Sequence, residues 1–154
     1  MQAAALEITR DHSHTGYVRR VDTGDVAQMK AVYEAFNRRN FDDLAALMDP
    51  EVVFVEAEPR GQRSRERRGR DPLLEYLSSW WDAWESVHWD VYEAREEAGR
   101  VLTLCVVRGR PRGTDTDVER QMGHISRFRD GRMLLTRSYV DVDRAAREFD
   151  EGVG

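Results

Sequence analysis

Gly123-His124-Ile125-Ser126-Arg127-Phe128-Arg129-Asp130-Gly131-Arg132-Met133-Leu134-Leu135-Thr136-Arg137-Ser138-Tyr139 reads as one β-hairpin. Asp-Gly suits a two-residue turn whose central residues both need positive φ, and the flanks are rich in strand-forming side chains. On the first arm Met122, His124, Ser126 and Phe128 fall on one face by alternation. Outward from this hairpin the same reading gives strands over about 88–95, 100–108, 117–129 and 132–142, with turns at Ala98-Gly99, Arg110-Pro111-Arg112-Gly113 and Asp130-Gly131. Successive strands joined by tight turns predict a long antiparallel meander.

Upstream the period changes from two to between three and four. Val26, Met29, Tyr33 and Phe36 recur on one helical stripe, with Asp25 and Gln28 placed as a capping box, which predicts a helix from Asp25 to about Arg39. Asn40 suits the N-cap of a shorter helix carrying Leu44, Leu47 and Met48 and stopped by Asp49-Pro50. Val52, Val53, Phe54 and Val55 then predict a short strand running into Glu56-Ala57-Glu58-Pro59. After a polar loop to Gly69, Asp71 is read as a cap and Pro72 as the first residue of a third helix, with Leu73, Tyr76, Leu77, Trp80 and Trp84 as its apolar stripe. Helices gathered ahead of a run of long strands imply an α+β layering, in which the helices cover one face of a bent sheet.

The 154 residues suit one domain, and 40% hydrophobic against 34% charged residues is a globular balance. Residues 1–22 lack a clear period and are expected to form a loose arm with at most a short helical turn; 23–149 form the domain and 150–154 a tail. The segment Asp143–Phe149 is expected to be a peripheral helical turn or two. A net charge of −5 argues against nucleic acid as a partner, because that affinity comes mainly from Lys and Arg. The local run Arg60, Arg63, Arg65, Arg67, Arg68 and Arg70 reads as a solvated loop. His12 and His14 lack acidic or cysteine partners at ligand spacing, so no metal and no cofactor is expected. The single cysteine, Cys105, cannot form an intramolecular disulfide and reads as a small buried hydrophobe. With no signal-like start and no apolar run near the ~18 residues of a membrane span, the expectation is a cytoplasmic protein without membrane contact.

Four phrases carry a family resemblance: Val32-Tyr33-Glu34-Ala35-Phe36-Asn37-Arg38-Arg39-Asn40-Phe41-Asp42-Asp43-Leu44, Pro50-Glu51-Val52-Val53-Phe54, Gly69-Arg70-Asp71, and Gly123 to Arg132. Their order resembles the SnoaL-like branch of the nuclear-transport-factor-2-like superfamily, which includes ketosteroid isomerases and limonene-epoxide hydrolase. The resemblance implies a cystatin-like α+β cone with helices packed on a strongly curved antiparallel sheet, enclosing a pocket for a small apolar molecule. It also implies a homodimer through the outer face of the sheet.

In the isomerases a Tyr on the first helix and a protonated Asp on a late strand hydrogen-bond an enolate, while a carboxylate ending the first strand moves the proton. The matching positions here are Tyr33, His124 in place of the Asp, and Glu56 or Glu58. The residues themselves agree in part. Tyr33 lies on the apolar stripe, where a hydroxyl needs a partner, and Glu56 continues the strand face of Val52 and Phe54 into the core, where a carboxylate could act as a base. His124 carries the side chain that titrates nearest neutrality. The same positions also suit plain core packing. Phe36, Phe54, Leu77, Trp80, Trp84 and Met122 are the expected ligand contacts, with Glu58 at the rim. These residues suggest a cofactor-independent isomerase, lyase or cyclase acting by acid–base chemistry; the alternative is a non-catalytic binding or dimerisation module. The epoxide-hydrolase pattern needs an Arg between two pocket acids, for which Arg108 or Arg120 are the candidates.

Overall fold

The computed structural model describes residues 4–8, 18–22, 24–57 and 65–153. In chain order these form β1 (Ala4–Ile8), β2 (Val18–Asp22), α1 (Gly24–Asn37), α2 (Phe41–Ala46), β3 (Met48–Glu56), β4 (Arg65–Arg68), α3 (Arg70–Asp82), β5 (Trp84–Glu97), β6 (Arg100–Pro111), β7 (Val118–Arg129), β8 (Arg132–Tyr139) and α4 (Val142–Asp150). Strands β3 to β8 make one curved sheet in the order β4-β3-β8-β7-β6-β5, antiparallel except that β3 runs parallel to β8. The β5–β8 meander matches the sequence reading, and its turns show why. Ala98 and Gly99 have φ of 53° and 75°, and Asp130 and Gly131 have 52° and 78°, so both pairs take the double positive-φ geometry of tight hairpins.

Helix α1 lies across the inner face of the sheet and buries Val26, Met29, Val32, Tyr33 and Phe36 against it. Three polar contacts fix its position. Gln28 Nε2 donates to the Gly131 carbonyl at 2.6 Å, the Asn37 amide exchanges two bonds with the Trp89 backbone at 2.9 and 2.8 Å, and Trp81 Nε1 donates to the Phe36 carbonyl at 2.9 Å. Asn40 caps α2 as expected, its side chain accepting from the Asp43 amide at 3.0 Å.

Several expectations change. Helix α3 is capped at Gly69, with φ of 94°, so Pro72 is its third residue rather than its first. Its chain turns at Ala83, whose amide bonds back to the Trp80 carbonyl, and Trp84 therefore opens β5 instead of ending the helical stripe. Part of the Arg-rich loop is strand β4, paired with β3 at the sheet edge. Charged side chains suit an edge strand, since they discourage further pairing, and they hide it from a search for apolar periodicity. At the amino terminus β1 and β2 pair with each other as an antiparallel ribbon in place of the expected loose arm. His12, His14, Glu58, Arg60 and Arg63 lie outside the described residues.

The largest correction concerns α4. Its Ala145 and Phe149 are 0% and 1% exposed, and they close a second core on the outer face with Leu102, Leu104, Ile125 and Tyr139. The fit is close: a Cβ on Gly123 would come within 2.8 Å of Ala145 Cβ, so glycine is what lets the helix settle on β7. Arg100, 3% exposed, donates from Nη1 to the Phe149 and Val153 carbonyls at 2.9 and 3.0 Å and stacks over the Phe149 ring. It thereby bonds one carbonyl of the last turn of α4 and one of the segment that follows the helix. This helix is part of the core, and it covers the outer face over β6 to β8. No helix among the described residues is long and apolar enough to cross a membrane.

Candidate functional site: an apolar cavity with a polar base

Between α1, α3 and the inner face of the sheet lies a cavity of about 320 Å³. Its walls are mostly apolar, with Phe36, Phe54, Leu77, Trp80 and Met122 among the lining residues that the sequence pointed to. Trp84 does not line it; its ring centroid lies 5.4 Å from that of Trp80, with the planes tilted by 42°. Trp89 takes the expected place of Trp84, with its ring 5.6 Å from Trp80 and 5.7 Å from His124. The alternation Val87, Trp89, Val91 along β5 held the signal for that position.

Tyr33 and His124 meet at the base of the cavity. The Tyr33 hydroxyl is 2.6 Å from His124 Nδ1 and 2.7 Å from Thr103 Oγ1, and all three residues are buried. Thr103, fully buried, has Tyr33 as its hydroxyl's only partner among the described residues. If Nδ1 carried the imidazole proton, Tyr33 would accept from it and donate to Thr103, and the Thr103 hydrogen would be stranded. The arrangement in which both hydroxyl hydrogens find a partner is therefore Thr103 Oγ1–H to Tyr33 Oη and Tyr33 Oη–H to His124 Nδ1. It places the imidazole proton on Nε2, which has no protein partner among the described residues. Cys105 packs beside the pair, its Sγ 3.6 Å from the Tyr33 hydroxyl and 3.4 Å from the Met122 carbonyl.

Burial sets the protonation of this group. Desolvation lowers His124 from 6.5 to about 4, so the ring is neutral near pH 7. Burial raises Tyr33 well above its ordinary value and pushes Cys105 up to about 12, so the phenol keeps its proton and the thiol is not a thiolate. The base of the cavity is thus an uncharged hydrogen-bonding relay.

Glu56 lines the same cavity from the end of β3. The registers Glu56↔Ser138, Ser138↔His124 and His124↔Thr103 form a single row across four strands, so Glu56 stands two strands from His124, roughly 10 Å between backbones. Ser138 and Thr136 also face the cavity. The Glu56 carboxylate accepts from Tyr76 Oη at 2.5 Å and pairs with Arg67 at 3.3 Å. Arg67 in turn stacks on the Tyr76 ring, 3.5 Å from its centroid. Tyr76 rises to about 12, first through burial and then through its bond to Glu56. The sequence reading anticipated Glu56 in the cavity but neither of its partners.

Arg108, a candidate for an arginine between two acids, does bridge Asp90 and Glu119, each at 2.9 Å. It belongs to the face of β6 that carries Leu102 and Leu104, so this triad lies on the outer face of the sheet. Arg120 lies on the inner face and lines the cavity. Among the described residues no group of three or more His, Cys, Asp or Glu side chains could hold a metal ion.

Residues 29–135 match the SnoaL-like domain, and the chain belongs to that family. Solved structures share the fold at low identity. An NTF2-like protein of unknown function from Burkholderia pseudomallei is 20% identical with a TM-score of 0.67, covering 81% of this chain and 96% of that one. A protein with a ketosteroid isomerase-like fold from Catenulispora acidiphila, in complex with trimethylamine, is 19% identical with a TM-score of 0.63 over 73% and 83%. An LEH-like epoxide hydrolase from M. tuberculosis is 19% identical with a TM-score of 0.62 over 80% and 82%. No curated protein matches the chain in sequence.

Proposed function

We propose that the protein binds a small apolar carbonyl compound in this cavity and moves a proton at the carbon beside the carbonyl, as a cofactor-independent isomerase, lyase or cyclase. The observation that carries this reading is the Tyr33–His124 pair, a neutral hydrogen-bonding relay buried under an apolar cavity. His124 Nε2–H would donate to the carbonyl oxygen and hold the negative charge that develops there, and a buried donor of fixed orientation does this without reorganisation. Tyr33 would act as a positioning residue, setting the tautomer and angle of the ring, rather than touching the oxygen itself. Glu56 would take the proton from carbon and return it, after release from Arg67 and Tyr76.

The test is exchange of the protons beside the carbonyl in deuterated water, followed by NMR for a panel of apolar ketones. The expected result is exchange above the buffer rate with the wild type and at least about a hundredfold loss in Glu56→Gln. Exchange retained by Glu56→Gln removes Glu56 as the base, and no exchange for any ketone that binds defeats the catalytic reading. One observation favours the second reading, a non-catalytic binding module: Glu56 is already committed to an ion pair and a phenol. Tight binding without exchange is the outcome that module predicts.

A further inference from the structure

We infer that the ligand is an amphipathic monoanion, with an apolar body in the cavity and its single anionic group, of carboxylate kind, held at the rim by Arg120. The inference rests on the proposed ligand cavity and adds the class of ligand. Arg120 is exposed and lines the cavity, on the β7 face that also carries Met122 and His124. The acids beside it in sequence are taken by other arginines. Glu119, on the opposite face, pairs with Arg108 at 2.9 Å, and Asp117 pairs with Arg110 at 2.9 Å. Arg120 itself has no ion pair or hydrogen bond among the described residues.

Charge balance points the same way. Of the cavity-lining residues, Glu56 and Arg120 carry formal charge. Glu56 is neutralised by Arg67, and His124 is uncharged near pH 7, which leaves the Arg120 guanidinium as a positive charge without an acidic partner among the described residues. In a protein with net charge −5, a local cation facing an apolar cavity selects for an anionic end group on the guest. Arg120 and His124 are four residues apart on one strand, roughly 13 Å between Cα atoms, so a rigid two-ring body would separate the carbonyl at the base from the anion at the rim. Exposed Val140, also lining the cavity, adds apolar surface for such a body.

Calorimetric titration with 6-acetyl-2-naphthoate and with 2-acetylnaphthalene, which lacks only the carboxylate, tests this. The wild type should bind the naphthoate about fivefold more tightly, the range of a solvent-screened charge pair. Arg120→Gln should level the two affinities by weakening the naphthoate alone, while Arg120→Lys should keep part of the preference. Equal affinities in the wild type, or a preference unchanged in Arg120→Gln, would overturn the inference and leave the cavity reading standing. Failure of both compounds to bind the wild type would overturn both.

Discussion

The two faces of strands β6 and β7 are used in opposite ways. Outward, Leu102, Leu104, Gly123 and Ile125 are closed over by α4 so tightly that a glycine is needed beneath Ala145. Inward, Thr103, Cys105 and His124 meet Tyr33 of α1, and beside them a cavity opens between the helices and the sheet. One sheet therefore carries a closed core on its outer face and, on its inner face, a core that leaves room for a cavity.

If this division is right, the largest stability effect lies far from the site. Phe149→Ala, at a residue 1% exposed, should cost about 3–5 kcal/mol in urea unfolding, while the protein that remains folded binds a cavity ligand as before. A change in ligand affinity as large as the change in stability would show that the faces are coupled. At the small end, Arg108→Ala removes the partner of Asp90 and Glu119 from an exposed surface, with the Arg108 side chain 54% exposed. Its cost should stay under about 1 kcal/mol, with ligand binding and any proton exchange unchanged. Loss of exchange in that variant would mean that the outer triad, not the cavity, carries the chemistry.

Legibility in the sequence followed the same division. The meander was readable because Ala98-Gly99 and Asp130-Gly131 are turns whose backbone demands specify the residues, and α1 was readable because its stripe packs on one side only. The role of α4 was missed although β6 held the clue: Val101-Leu102-Thr103-Leu104-Cys105-Val106-Val107 is nearly unbroken in apolar character, the pattern of a strand covered on both faces. That pattern calls for a second layer, and the segment Asp143–Phe149, expected to be peripheral, supplies it.

In the site, Tyr33, Glu56 and His124 were visible by face and by resemblance, but their hydrogen-bond partners were not. Thr103 sits within that apolar run as one more β-branched residue, and only the register His124↔Thr103 brings its hydroxyl to the pair. Arg67 and Tyr76 reach Glu56 from an edge strand and a helix, so no local period announces them. Trp84 was misplaced because its spacing from Trp80 continues a helical stripe, whereas the chain had already turned at Ala83.

The central claim is that His124 is a neutral Nε2–H donor held by Tyr33. Nitrogen NMR of the ring between pH 8 and pH 4, assigned against His124→Asn, tests it most directly. Because the folded value is about 4 and the ordinary value 6.5, the ring is neutral in both folded and unfolded chains above 6.5. As pH falls from 6.5 toward 4 only the unfolded chain takes up the proton, so stability present above 6.5 is progressively lost, by roughly 3 kcal/mol. The account predicts the Nε2–H tautomer, neutral until pH is near 4, together with a stability slope that disappears in His124→Asn. An Nδ1–H tautomer, or titration near 6.5, would contradict it.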